Sequence, residues 1–339
     1  MTHQRPLPRR ARALLAGAAV GIIALAINVT GMKAISPGNA VASHVPNPTA
    51  STIPATTTAP VTSTAQSTPA APYPVDHETI SLVDRSRDTP ARGDVPAHSG
   101  RVLTTVIARP RLPGPLPLVV FAHGWNVNPT SYEPLLDEWA AAGYLVAAPT
   151  FPDSANTLPG SPVSNYPEQA RDISFAISSL MAGSPGTVAP TRIAVAGHSD
   201  GGADVALLAL NPSYADPRVR AYLSLSGVIP AGVPGPWGAP TTGALLVAVG
   251  TNDKYGLLPR STGVYKAANV TSKVLLTVAG GDHMGIYIGS SPQAMAVRHE
   301  TVRFLDVALQ AEGATSAHLR SALDPTGDPS ILLTAGPPG

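Results

Sequence analysis

Six short runs of the chain are apolar almost without interruption: PLVVFAH (117–123), YLVAAPT (144–150), RIAVAGH (192–198), AYLSLSG (221–227), ALLVAVG (244–250) and VLLTVAG (274–280). A strand with one face in water alternates apolar and polar residues, whereas a strand covered on both faces reads as a continuous apolar run. The six runs are therefore predicted to be parallel strands in the interior of a sheet. Between them, SYEPLLDEWAAAG, YPEQARDISFAISSLMAG, GGADVALLALN and SPQAMAVRHETVRFLDVALQAEG place apolar residues at helical spacing. Strand and helix in turn predict the α/β class, with a doubly wound, mostly parallel sheet and helices on both faces. Upstream, ETISLVDRS and RVLTTVIARP alternate more regularly and predict an antiparallel lead-in at one sheet edge.

The ends of the chain have other patterns. Arg5, Arg9, Arg10 and Arg12 precede an uncharged apolar run over 13–32, and Val41 sits between two alanines in a small-residue cleavage context. The run is long enough to span a bilayer, so residues 1–42 read either as a signal peptide or as an N-terminal membrane anchor. In both readings the rest of the chain is extracytoplasmic, secreted or held at the cell envelope. Residues 43–75 are nearly all Pro, Thr, Ser and Ala with no charged side chain, which predicts an extended linker or stalk. The catalytic domain is expected over 76–312. The tail, 313–339, is expected to hold a short helix near 318–323 and to be loosely packed.

Charge and composition narrow the function. With 22 Lys+Arg against 21 Asp+Glu and 13% charged residues, there is no basic footprint for nucleic acid. Cysteine is absent, which excludes disulfides, thiolate metal sites and a cysteine nucleophile. Covalent chemistry has to use another side chain.

The run ending at His198 leads into Gly197-His198-Ser199-Asp200-Gly201 and then directly into a helical pattern. A Gly-x-Ser-x-Gly turn between strand and helix presents the serine on a sharp elbow, and the small flanking residues avoid a clash there. Ser199 is the candidate nucleophile. A serine hydroxyl needs a base and an acid that orients the base, and both are expected after it in the chain, acid first. Asp253 lies three residues beyond the run ending at Gly250, and His283 three beyond the run ending at Gly280, where the carboxyl ends of parallel strands carry functional loops. Among nine histidines, His198 adjoins the nucleophile on too tight a turn and His123 is expected to shape a loop; Asp282 is the rival acid, but adjoins the base. The oxyanion donors are expected to be the backbone N–H of Asp200 and that of Trp125, with Gly124 the alternative, in the loop after the first central strand. Trp125 and Gly124 are also candidate substrate contacts. The carboxylate of Asp200, favoured at a helix N-terminus, is expected to point away from the oxyanion site.

The segments PLVVFAHGW, GYLVAAPTFP, RDISFAISSL, GHSDGG, NDKYG and GGDHMG together resemble the α/β-hydrolase superfamily, and within it the group of dienelactone hydrolases, chlorophyllases, platelet-activating-factor acetylhydrolases and cutinase-type polyester hydrolases. The resemblance covers about 76–312. It implies Ser199 as nucleophile, His283 as base, Asp253 as its partner, and the amides of Trp125 and Asp200 as oxyanion hole. This chain has Asp200 where the polyester hydrolases usually carry methionine, lacks the disulfides common in cutinases, and lacks the cysteine nucleophile of dienelactone hydrolases. Residues 228–243 are too short and too rich in Gly and Pro for the helical lid that many members insert there, so an open cleft is expected.

These readings converge on an exported serine hydrolase that cleaves carboxylic esters through an acyl-enzyme and needs no metal or organic cofactor. The ester could be lipid, polymer or small molecule. The alternative is a cell-envelope binding or scaffolding protein that keeps the fold without turnover.

Overall fold

A computed structural model describes residues 72–183, 186–310, 315–323 and 331–336. The apolar run at 13–32 and nearly all of the stalk lie outside the described residues, within which no helix is long and apolar enough to cross a membrane.

The strands are β1 (Val75–Asp84), β2 (Arg101–Pro110), β3 (Leu116–Ala122), β4 (Leu145–Pro149), β5 (Val188–His198), β6 (Val219–Leu225), β7 (Thr241–Gly250), β8 (Val270–Val278) and β9 (Ile331–Gly336). They form one sheet in the order β1-β2-β4-β3-β5-β6-β7-β8-β9. From β4 to β8 every neighbouring pair is parallel; β1, β2 and β9 pair antiparallel at the two edges. Every residue of β3 and of β4 is buried, which is why these segments tolerate no polar alternation.

Helices α1 (Glu133–Ala141), α2 (Tyr166–Gly183), α3 (Asp200–Leu210), α4 (Leu258–Ala267), α5 (Gly285–Ile288), α6 (Pro292–Gln310) and α7 (Ser316–Ala322) cover the sheet. Successive residues of a strand point to opposite faces, and this splits the core in two. Leu118 and Val120 of β3 join Ile173 and Ile177 of α2 and Leu207 of α3 on one face. Val119 and Phe121 join Trp139 of α1 and Phe304 and Leu305 of α6 on the other. Each such side chain, fully buried, stabilises the fold by roughly 1.5–3 kcal/mol relative to exposure.

Two expectations about the ends are corrected. The domain includes residues 72–75: β1 starts at Val75, and the Tyr73 N–H donates to the Ala141 carbonyl at 2.8 Å. The tail is not loosely packed throughout, because β9 pairs along β8 while Leu319 and Leu323 are completely buried. The reason is the edge of β8, whose backbone groups need partners that ILLTAG supplies.

The connectivity positions the site. The chain leaves β3 toward β4 on one side and returns to β5 on the other, so the loops after β3 and β5 diverge around a crevice at the carboxyl ends of the strands. Ala122 is registered against Gly197, which sets the loop after β3 beside the Gly-x-Ser-x-Gly turn.

Candidate active site

The elbow is built by backbone packed on backbone. A Cβ at Gly197 would lie 2.2 Å from the Gly201 carbonyl oxygen, and one at Gly201 would lie 2.1 Å from that of Ala122. Glycine is obligatory at both. Ser199 between them has φ +58° and ψ −115°, a strained conformation for a residue with a side chain. It is held there by its N–H on the Leu225 carbonyl (2.9 Å) and by its own carbonyl, which accepts from Ala203 (3.0 Å) in the first turn of α3. Asn126 in the loop after β3 and Ser226 after β6, at φ +55° and +48°, are also left-handed, so the backbone strain gathers around this one crevice.

Three predicted side chains meet. His283 Nδ1 lies 2.7 Å from Asp253 Oδ2, and His283 Nε2 lies 3.0 Å from Ser199 Oγ. A carboxylate only accepts, so Nδ1 carries the proton and Nε2 is left to accept from the serine hydroxyl. Asp253 is 7% exposed, and its other oxygen takes the N–H of Tyr255 at 2.9 Å, which fixes the carboxylate in the turn after β7. The Tyr255 ring stands edge-on against the imidazole at 4.7 Å. Asp282, the rival acid, instead accepts from the N–H groups of Met284 (2.9 Å) and Gly285 (2.5 Å) and shapes the start of α5.

The loop after β3 comes within reach of the serine: a Cβ on Gly124 would lie 3.2 Å from that of Ser199. The Gly124 N–H donates to the Tyr132 hydroxyl at 3.2 Å. Neither the Trp125 N–H nor the Asp200 N–H has an acceptor among the described residues, and both residues line the cleft. The Asp200 amide is the first of α3, where no intrahelical acceptor exists. Two amides without an acceptor among the described residues, in a cleft that Ser199 also lines, are the candidate donors to a developing negative charge.

The expectation for Asp200 itself is corrected. Its carboxylate lies on the cleft wall, accepting from the hydroxyls of Ser164 and of Tyr166 (3.2 Å), both of which line the same cleft. The hydroxyls and the N-terminus of α3 stabilise a charge that was expected to turn away. One turn along α3, Asp204 is fully buried with neither carboxylate oxygen bonded among the described residues. Burial, then the charges of Asp200 and Asp172, push its pKa well above the usual carboxylate range, so the neutral acid is favoured.

The cleft encloses about 920 Å³. Trp125, Val127, Val228, Leu257 and Met284 supply apolar wall, with Lys254 and Arg260 at its rim. Trp125 and Tyr255 are 50% and 61% exposed, and residues 228–240 contain no helix, in keeping with a cleft that lacks a lid. The Trp125 indole donates to the Pro162 carbonyl at 3.2 Å, which pins the ring against the loop before α2.

Two other histidines are internal. His123 accepts from the Phe151 N–H at Nε2 (3.0 Å), so its Nδ1–H donates to the Gly124 carbonyl (2.8 Å); it shapes the loop, as expected. Burial lowers its pKa to about 4. His198 bonds Tyr132 and the backbone of His283. Tyr132, Ser164 and Tyr166 were not read as site residues from sequence; each bonds a residue of the elbow or its neighbour loop from more than eight positions away or across elements, and no local pattern signals that.

Against known proteins, residues 91–235 match the family model described as Chlorophyllase. The match spans the loop after β3 and the whole elbow and ends before Asp253 and His283. No curated protein matches the chain.

Proposed function

From the premise that the chain is an α/β-hydrolase of the chlorophyllase-like group, esterase-type in its chemistry, we propose that it is an exported serine carboxylesterase acting through an acyl-enzyme. The observation that carries the reading is the unbroken line Asp253, His283, Ser199 at 2.7 and 3.0 Å, ending on a strained serine. Ser199 Oγ attacks the ester carbonyl carbon as its proton passes to His283 Nε2, and Asp253 stabilises the imidazolium. The amides of Trp125 and Asp200 hold the oxyanion. The imidazolium then gives its proton to the departing alkoxide. Water, deprotonated by the same nitrogen, attacks the acyl-enzyme and releases the acid with Ser199 restored. None of these steps requires a metal or an organic cofactor.

The substrate reading follows from the wall. An open, partly apolar cleft suits extended or surface-presented esters, with lipid, polymer and small esters all compatible. Export rests on the basic and apolar N-terminus. The scaffolding alternative has no observation in its favour, since a site that had lost turnover would be expected to have lost one of these partners.

The test is labelling of residues 72–339 by a fluorophosphonate, followed by turnover of p-nitrophenyl esters of increasing acyl length. Stoichiometric modification at Ser199 with turnover is expected. A folded protein that neither labels nor turns over would overturn the reading.

A further inference from the structure

His198, the residue before the nucleophile, takes no part in the steps above, yet it is 2% exposed and bonded at both ring nitrogens. Its Nε2 lies 2.7 Å from the carbonyl oxygen of His283, and its Nδ1 lies 2.9 Å from the hydroxyl of Tyr132. A carbonyl can only accept, so the ring proton is on Nε2 and Nδ1 is an acceptor. The Tyr132 proton must then point at Nδ1. Its oxygen keeps its lone pairs for the Gly124 N–H at 3.2 Å. Every donor direction follows: Gly124 N–H to Tyr132 oxygen, Tyr132 O–H to His198 Nδ1, His198 Nε2–H to the His283 carbonyl.

This chain starts on the main chain of the loop after β3 and ends on the main chain of the loop after β8, passing through the elbow. Its first group adjoins Trp125, whose N–H is free for the oxyanion, and its last belongs to the base. The rings are also packed in series, with His198 centred 5.5 Å from Tyr132 and 4.6 Å from His283. Burial, and the neighbouring His283, keep the His198 imidazole neutral, with a pKa near 3, so the direction of the chain does not change with ordinary pH.

We infer that His198 and Tyr132 are a positioning pair that sets the distance between the oxyanion amide of Trp125 and the base His283. The inference rests on the esterase reading. Neither residue touches the reacting atoms in this role; both act through the two loops they tie. Small misplacements of catalytic groups are costly, so the pair should appear in turnover rather than in substrate affinity.

The sharpest probe is Tyr132→Phe, which removes one oxygen and leaves the ring packed at a tilt against Phe121, centroids 4.7 Å apart. Measured per phosphonate-titrated site, kcat should fall about tenfold with KM within about twofold, and the rate of phosphonate labelling should fall in parallel. His198→Leu loses both the donor for the His283 carbonyl and the acceptor for Tyr132. If the two residues form one chain, the double variant should be no slower than His198→Leu alone, whereas independent packing defects would multiply. A Tyr132→Phe enzyme with unchanged kcat, a loss confined to KM, or multiplying effects would overturn the inference while leaving the esterase reading intact. Absence of labelling in the unmodified protein would remove both. Should His198→Leu fail to fold, the kcat and KM of Tyr132→Phe decide alone.

Discussion

Asp253 and Asp172 are both carboxylates withdrawn from water, and both hold a nitrogen base at hydrogen-bond distance. Asp172, on α2, receives Arg101 of β2 through Nε at 2.9 Å and Nη2 at 2.6 Å, and Arg87 at 2.6 Å; Asp153 adds a further contact to Arg101 at 3.0 Å. Arg101 is completely buried, and although burial opposes its charge, the bonds and charge of Asp172 hold its pKa above the ordinary value. A guanidinium does not give up its proton, so the positive side of this cluster keeps its charge, and it clamps β2 to α2, while burial raises the pKa of Asp172 against the lowering pull of the two arginines. Asp253 instead faces an imidazole, whose charge can appear and vanish within a reaction. Burying a carboxylate does not by itself make a catalytic site. What separates the two regions is whether the partner can change its charge.

The largest effect that tests this contrast is at the triad. Asp253→Asn should leave the fold intact and lower kcat about 10⁴-fold, because the amide would favour the wrong imidazole tautomer. Steady-state turnover alongside thermal unfolding checks it; a loss under tenfold would mean that the acid has only a structural role like that of Asp172. Breaking the ionic cluster should do the reverse. Arg101→Met takes from buried Asp153 its ion pair and leaves Asp172 with Arg87 alone, and should destabilise the fold by about 3–5 kcal/mol in denaturant unfolding. Its kcat per phosphonate-titrated site should stay within a few-fold of the unmodified protein, and a collapse of kcat in the folded variant would show that the two regions are coupled.

The smallest effect comes from the histidine that the mechanism leaves neutral. The folded-state pKa of His123 is about 4, below the ordinary 6.5. The unfolded chain therefore takes up a proton below pH 6.5 while the folded one does not, so the stability this residue allows is complete above 6.5 and is lost as pH falls toward 4. Asp204, with its raised pKa, titrates in the opposite sense, so the comparison is made between the protein and His123→Gln. Between pH 7 and pH 5 the unmodified protein should lose about 2 kcal/mol more than the variant, from 1.5 pH units below 6.5. Parallel pH curves from denaturant midpoints would contradict this.

The six interior strands were legible because burial on both faces leaves one kind of sequence, and the Gly-x-Ser-x-Gly turn because main-chain contact admits one residue type. Asp253 and His283 were legible from their distance beyond strand ends. Elements whose stability comes from their neighbours were not: α4 (LPRSTGVYKA) mixes Gly263 with Ser261 and Thr262 and has little helical preference of its own, and β9 is framed by Pro and Gly and exists because β8 offers an open edge. Asp200 was misread because a helix N-terminus explains a carboxylate without saying which hydroxyls reach it. No local pattern marks Arg101 as buried, whereas Asp172 falls on the same face of α2 as Gln169, Ile173 and Ala176, all buried.

The contact between glycines at the elbow also bears on how such a protein can be altered. Besides the clashes at Gly197 and Gly201, a Cβ on Gly202 would lie 2.8 Å from the Gly227 Cα, and one on Gly227 would lie 2.4 Å from the Gly202 carbonyl carbon. Ser199 thus rests on backbone packed against backbone, with no room for a side chain at these four positions. Trp125, Tyr255, Val228 and Met284 stand on loops around that fixed point. A library that tests the proposed esterase on new esters should vary those walls and leave the four glycines alone, since a side chain at any of them would displace the backbone that carries Ser199.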